Sequence, residues 1–390
     1  MRRKILFVGH NASRTGAPLI LLELIKWIKA HSSFEPTVLL KRDGPIIDGY
    51  RAVAPTWVYS QESDKLNRVF HQRVLRKAHM AQLRQPDLNM VFPTDEYPVV
   101  FANTIDTCDL VLQLSSPERQ IVHRIPELSY TTELYGATDD LKKCVEKTSA
   151  YIAVSSAVSE YLSKGIGIPK AKINLIHGSP IVRTHQHDQH EDRQTICQRL
   201  GIPKESLIVG MSGLPQWRKG TDLFVQLALH ARRMLGPNPC HFVWLGEDSR
   251  SQHGASYDVA HSGLEGICHF VPAVSNPESY YKAFDVFALT SREEPFSLAM
   301  LEAALCGVPI ICFDTGGSPD LVEDDAGIVV PYLDVPAMAA ACVELLRDED
   351  RRRQFGKNAQ RKVQERYLLD IQAPKILALI ETALNASVRK

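Results

Sequence analysis

The stretch Ser291-Arg-Glu-Glu-Pro-Phe-Ser-Leu-Ala-Met-Leu-Glu-Ala-Ala-Leu-Cys-Gly-Val-Pro309, followed by Thr315-Gly-Gly-Ser-Pro-Asp320, decides the reading of this chain. Ser297 suits the N-cap of a short helix, Leu298 to Leu305 build it, Gly307 ends it and Pro309 forbids its continuation. A loop therefore carries Glu294 to the mouth of that helix. Glu302 follows eight residues on, which at about 100° per residue leaves the two roughly 80° apart, so they are not expected to share a face. The expected arrangement has Glu294 on the loop and Glu302 one to two turns inside the helix. Both would border the space before the helix N-terminus, where free N–H groups and the dipole favour anions.

Beyond the helix, Val308 to Phe313 reads as a buried strand, and Gly316-Gly317 as a loop able to bring backbone amides close to a ligand. An anion site flanked by carboxylates suits a sugar-phosphate compound, whose hydroxyls need acceptors and whose phosphates need N–H groups. Two glutamates at this spacing, taken alone, would be solvated surface charge. The glycines, the proline and the strand around them argue otherwise.

Length favours two domains, since 390 residues exceed one average domain and divide into halves of about 170 to 190 residues. Lys+Arg and Asp+Glu both number 45, so no global charge argues for nucleic acid. Eight cysteines are scattered without a C-x-x-C pair, which fits reduced thiols rather than a disulfide frame or a zinc site. The apolar run Ile5-Leu-Phe-Val8 stops at Gly9-His10-Asn11 and no stretch approaches the roughly 20 apolar residues of a membrane span. Neither export nor a span is expected.

In chain order, Lys4 to Val8 is a strand, Gly9 to Pro18 a polar loop, and a helix with Leu19, Leu22, Ile25 and Ile28 on its apolar face follows. Strands are expected at Pro36–Leu40, Pro98–Asn103, Gln120–Ile125, Tyr151–Ser155 and Lys172–Ile176. The second half starts again with Ser206–Met211, then Phe242–Leu245, Ile267–Val271 and Phe284–Leu289. Strands alternating with helices imply parallel sheets, whose ligands gather at the carboxyl ends of the strands. His10, Asn103 and His123 are expected near that edge. Neither half carries G-x-G-x-x-G, which sets a dinucleotide oxidoreductase aside.

Three further segments have a function to weigh. Residues 61–85 carry Lys65, Arg68, Arg73, Arg76, Lys77 and Arg84 against Glu62 and Asp64, a net of +4, with apolar residues at helical spacing. That segment is a candidate for an anionic lipid surface or acceptor, its plainer reading being a surface helix with its stripe in the core. His185, His187 and His190 invite a metal, but no partner cluster stands elsewhere, and an exposed interdomain linker is expected there. The region from Ala337 to Ala386 is helical in composition, with Pro374 as its one clear interruption.

Arg218 and Lys219 close the glycine-containing loop Ser212–Gly220 between a strand and a helix. Bases near a helix N-terminus are disfavoured by the dipole, which argues for an anion between them. A departing diphosphate is such an anion, and fixed cations that meet its charge lower the barrier to sugar transfer.

At these residues the chain resembles a known family. Glu294 to Pro309 looks like the E-x7-E signature of the family-four glycosyltransferases, which are retaining, use nucleotide sugars and have two Rossmann-like domains, the GT-B architecture. The likeness covers nearly the whole chain and is densest from Leu207 to Pro331. Gly213 to Gly220 is similar to the family's phosphate-binding loop, Trp244-Leu-Gly246 to its second strand, and Tyr280-Tyr-Lys-Ala-Phe-Asp285 to the segment before the glutamates.

The resemblance implies an α/β chain with two domains facing each other across a cleft and a C-terminal helix crossing back to the first. The expected boundaries are 1–185 for acceptor binding, 193–366 for the nucleotide sugar and 367–390 for the returning helix. It implies that Glu294 faces the sugar, that Glu302 bonds the ribose hydroxyls, and that the backbone at Val274 contacts the base. Gly16 would face the donor phosphates, and Ser297, Leu298 and Gly317 would complete the donor site. Many members carry a sugar-facing histidine where Pro126 stands here, three residues after His123, so His123 is the candidate for that role. Two more departures are Leu214, where arginine often follows the glycine, and Ser297, where glycine is common.

The function so implied is a metal-independent retaining glycosyltransferase that needs no cofactor beyond its nucleotide diphosphate sugar donor. Its acceptor would be a saccharide or lipid-linked, in cell-surface polysaccharide or glycolipid synthesis, and its place the cytoplasm, with peripheral membrane contact through 61–85. A catalytically inactive sugar-nucleotide-binding protein and a sugar-nucleotide epimerase are the alternatives.

Overall fold

The computed structural model describes residues 3–59, 87–134, 138–182, 192–236, 240–247 and 252–388. The basic segment 61–85 and the histidines of the expected linker, His185, His187 and His190, lie outside them. The chain divides into two compact units: Met1–Val154 with Val158–His177 and Gln372–Lys390, and Gly178–Ile371 with Ser155–Ala157.

The amino-terminal unit holds β1 (Arg3–Gly9), β2 (Phe34–Leu40), β3 (Thr56–Val58), β4 (Val99–Asn103), β5 (Gln120–Ile125), β6 (Ala150–Ala153) and β7 (Ile173–Leu175). They form one sheet in the order β3-β2-β1-β4-β5-β6-β7, with every pairing parallel. Ile5 to Val8 are fully buried, as expected of a strand covered on both faces. The edge strand β3 escaped the sequence reading because three residues with Trp57 half exposed show no alternation.

The carboxyl-terminal unit holds β8 (Leu207–Ser212), β9 (Cys240–Glu247), β10 (Cys268–Pro272), β11 (Val286–Leu289), β12 (Ile310–Phe313) and β13 (Gly327–Val330). Their order, β10-β9-β8-β11-β12-β13, is again parallel throughout. In both units the first strand lies inside the sheet and the order reverses beside it. Loops leave in opposite directions there and open a crevice at the carboxyl ends, between β1 and β4 in one unit and between β8 and β11 in the other.

Local chemistry builds the second unit. Trp244 on β9 is fully buried against Phe224, ring centroids 5.5 Å apart. Gly210 on β8 leaves room for the Phe284 ring, which a Cβ would meet at 2.0 Å. Asp285 accepts from the Ile208 amide and from Arg193 Nη2, both at 2.8 Å, and so anchors β8 to the helix Arg193–Leu200. The conspicuous aspartate before β11 is therefore a fold-anchoring group.

The carboxyl-terminal helices span Val335–Arg347, Glu349–Arg366 and Leu369–Val388. Pro374 does not interrupt the last of them, contrary to expectation. It lies in the second turn, where the proline forgoes a single backbone bond, and the break falls instead at Tyr367-Leu368. Among the described residues no helix is long and apolar enough to cross a membrane.

Candidate active site

The site begins where β8 ends. Gly213 donates its amide to the Leu245 carbonyl at 2.9 Å and accepts from Trp244 Nε1 at 2.8 Å, which fixes the start of the loop. Trp217–Lys219 then make a tight turn, closed by Gly220 at φ 69°. A Cβ on Gly220 would stand 2.0 Å from the Thr290 carbonyl oxygen, so this residue must be glycine on two counts. Thr290, at the end of β11, returns a hydrogen bond from Oγ1 to the Gly220 carbonyl at 3.1 Å. The two loops flanking the crevice are thereby pinned to one another.

The loop after β11 is held just as closely. The Arg292 amide donates to the Arg218 carbonyl at 2.8 Å, and its guanidinium forks onto Asp222 at 2.8 and 2.7 Å. The same guanidinium bonds the Trp217 carbonyl and lies 4.8 Å above the Trp217 ring. Gly317 donates its amide to the Glu294 carbonyl at 2.9 Å, and a Cβ on Gly316, at φ 59°, would stand 2.0 Å from that carbonyl oxygen. The Gly316-Gly317 pair, read from the sequence as a loop for a ligand's approach, is required first by the backbone carrying Glu294.

These constraints bring Lys219, Arg218 and Glu294 together. Lys219 Nζ is ion-paired with Glu294 Oε2, and Arg218 Nη1 lies 3.8 Å from Glu294 Oε1 while donating to the Glu293 carbonyl at 2.7 Å. Ser291 Oγ donates to Glu294 Oε2 at 3.3 Å. Side-chain exposure is only 14% for Lys219 and 7% for Glu294. Burial pushes the Glu294 carboxyl up, but the charges of Lys219 and Arg218 and the bonds from Lys219 and Ser291 outweigh it and hold the group below the usual carboxylate range. Burial lowers the Lys219 ammonium; Glu294 opposes that shift and Arg218 reinforces it. Two cations thus converge on the Glu294 carboxylate in a nearly buried place, with N–H donors of the kind that also bind phosphate groups.

The helix Leu298–Leu305 begins as expected, with Ser297 Oγ accepting from the Met300 amide at 3.3 Å. Leu298 opens its first turn, whose amides lack intrahelical acceptors, and Glu302 sits half-buried one turn in. Val274 lies half-buried on the loop between β10 and the helix Glu278–Ala283. Gly16 starts the helix Gly16–His31 of the amino-terminal unit.

His123 differs from its expected role. On β5 it is fully buried, stacked on Tyr151 at 6.0 Å, with Nε2 donating to the Thr104 carbonyl at 2.9 Å. Burial holds it neutral, with its pKa lowered to about 4. β5 is an interior strand with neighbours on both sides, which places this side chain in the core rather than before a sugar. The contacts of Ser291, Arg292 and Asp222 have no signal in the sequence, since Arg292 and Asp222 are 70 residues apart. Among the described residues no group of three or more His, Cys, Asp or Glu is arranged to hold a metal ion.

Residues 192–362 match the family model described as glycosyl transferases group 1. The match spans most of the carboxyl-terminal unit. Among proteins similar to this chain, the lipopolysaccharide core biosynthesis mannosyltransferase LpsB of Rhizobium meliloti is 26% identical over 255 residues, 63% of this chain and 68% of that one. The D-inositol 3-phosphate glycosyltransferase of Xylanimonas cellulosilytica is 31% identical over 235 residues, 56% of this chain and 54% of that one. The crystal structure of Anabaena Alr3699/HepE in complex with UDP superposes with a TM-score of 0.79 at 20% identity, covering 97% of this chain and 100% of that one. The whole chain thus has the two-Rossmann-domain GT-B fold.

Proposed function

We propose that the chain transfers a sugar from a nucleotide diphosphate sugar to a saccharide or lipid-linked acceptor, with retention of anomeric configuration, in cell-surface polysaccharide synthesis. The observation that carries this reading is the convergence of Lys219 and Arg218 on Glu294 at the β8/β11 crevice. Bond breaking at the anomeric carbon throws charge onto the departing diphosphate. Lys219 and Arg218 are then the cations that meet it, already fixed before the reaction starts. Glu294, held ionised, is the acceptor for hydroxyls of the transferred sugar, and Glu302 serves the ribose. The first-turn amides at Leu298 and the backbone near Val274 and Gly317 complete the donor site, and Gly16 belongs to the unit that takes the acceptor.

The UDP in the Alr3699/HepE structure and the lipopolysaccharide core biosynthesis of LpsB support this class of donor and product. Thermal unfolding in the presence of UDP, GDP or ADP tests the donor site. A ligand at one hundred times its Kd stabilises by about 2.7 kcal/mol, so one of the three is expected to raise the unfolding midpoint, and the response is expected to vanish in Lys219→Ala. No shift from any of the three contradicts the reading.

A further inference from the structure

Thr104 has φ 82° and ψ 153°, a conformation that is essentially glycine's and that a β-branched residue adopts only under constraint. It is 3% exposed and lies directly after β4. Its amide donates to the Arg124 carbonyl at 2.9 Å, and its own carbonyl accepts from His123 Nε2 at 2.9 Å and from Thr107 Oγ1 at 2.7 Å. The next amide, Ile105, donates to the buried Glu127 carboxylate at 3.3 Å. A strained residue held by this many bonds is kept for what its side chain reaches.

Thr104 Oγ1 reaches His10 Nδ1 at 3.3 Å. His10 follows β1 immediately, so the pair stands at the β1/β4 crevice, where the strand order of the amino-terminal unit reverses. Nδ1 is engaged by Thr104, which leaves Nε2 for a ligand, and His10 itself is half-buried. Burial lowers its pKa to about 4, with Asp106 opposing and Arg42 and Lys41 reinforcing the shift. With Nδ1 engaged, Nε2 of the neutral ring is a single donor or a single acceptor, and a hydroxyl can meet either. The neighbouring cations are already matched: Lys41 Nζ bonds Asp106 at 3.1 Å and Asp109 at 3.0 Å, and Arg42 pairs with Asp106. Balanced charge around a neutral imidazole suits an uncharged ligand rather than an anion.

We infer that His10, oriented by Thr104, binds a hydroxyl of an uncharged saccharide in the amino-terminal unit, and that His123 is a positioning residue that keeps Thr104 in its strained conformation. The saccharide is the acceptor if the transferase reading above holds, and the inference rests on that reading for this role. It gives the buried His123 a part in recognition without contact to the sugar.

The test is the affinity of the full chain for octyl α-glucoside, octyl α-mannoside and octyl α-galactoside below their micellar concentrations, followed by saturation-transfer NMR, with UDP titrated in parallel. The wild-type protein is expected to bind at least one glycoside. Loss of one ligand hydrogen bond in His10→Ala weakens that binding about tenfold, with UDP affinity kept within about twofold. Thr104→Gly relieves the backbone and raises the unfolding midpoint while weakening the glycoside, whereas Thr104→Ser keeps the hydroxyl and the affinity. His123→Leu weakens the glycoside, and His123→Gln, which retains a donor for the Thr104 carbonyl, restores it. Unchanged glycoside affinity in His10→Ala, or no glycoside binding by the folded wild-type protein, overturns the inference. Glycoside binding without consumption of any nucleotide sugar would instead defeat the transferase reading and leave this site standing.

Discussion

Lys219 on the loop after β8 is ion-paired with Glu294 on the loop after β11, two side chains 75 residues apart in sequence that meet across the reversal point of the second sheet. Each loop is braced by glycines that no other residue can replace, Gly220 under one and Gly316 under the other. The pairing keeps Glu294 ionised and holds the Lys219 ammonium at the crevice.

Breaking the pair separates its structural and chemical roles. Glu294→Leu leaves Lys219 buried without its partner and is expected to cost about 3–5 kcal/mol. Combining it with Lys219→Met restores most of that stability, because two apolar groups replace two charges. Activity is expected to stay lost in the double variant. Urea unfolding of the four proteins of the cycle measures this, and a double variant no more stable than Glu294→Leu would refute it.

Arg292 joins Asp222, Trp217 and the backbone of Arg218. Its contribution is the planar fork, which lysine lacks. Arg292→Lys is therefore expected to reduce turnover about tenfold through a loosened Trp217–Lys219 turn, at a cost in stability of about 1 kcal/mol. Steady-state kinetics alongside thermal unfolding checks the split; full turnover in Arg292→Lys would show that the fork is not needed.

Two kinds of glycine predict two sizes of effect. Gly201 has φ 64°, and no atom lies within 4 Å of the place a Cβ would take, so Gly201→Ala meets only the left-handed backbone penalty of about 1–2 kcal/mol. Gly316→Ala and Gly220→Ala add a collision at 2.0 Å with a carbonyl oxygen. Both are expected to lose clearly more stability than Gly201→Ala, as read by chemical denaturation, and equal losses in all three would count against the packing described.

Stability should depend on pH through His123. Its folded pKa is lowered to about 4 by burial, against about 6.5 in an unfolded chain. Between those values the unfolded chain takes up a proton that the folded chain refuses, so stability falls as pH drops from about 6.5 to about 4, by about 3 kcal/mol for this residue. Below the folded value no further loss comes from His123. The urea midpoint of His123→Gln is expected to decline less over that window than the wild type's, and parallel declines would contradict the assignment.

Much of the scaffold was legible in the residues because its signals are local. The helix Leu298–Leu305 announced itself through Ser297, Gly307 and Pro309, and the long apolar strands through their runs. β3 and β13 are not anticipated by the sequence although β6, β7, β11 and β12 are as short, and Pro374 looked like a break because the sequence does not show how little a proline disturbs a helix near its start. The site was legible only in part. Glu294, Arg218 and Lys219 stood out singly, but their convergence depends on the order of strands β8 and β11, as does the Arg292–Asp222 fork. His123 looked like an edge residue, and only the neighbours of β5 reveal it as a buried clamp on Thr104.

Sugar transfer at Glu294 is tested most directly by the rate of nucleoside diphosphate release from UDP-glucose, GDP-mannose and ADP-glucose, measured for the wild-type protein and Glu294→Ala with and without the octyl glycosides. Release from at least one donor is expected, accelerated by a glycoside and reduced about a hundredfold or more in Glu294→Ala. Binding without release from every donor, or an unchanged rate in Glu294→Ala, would contradict it.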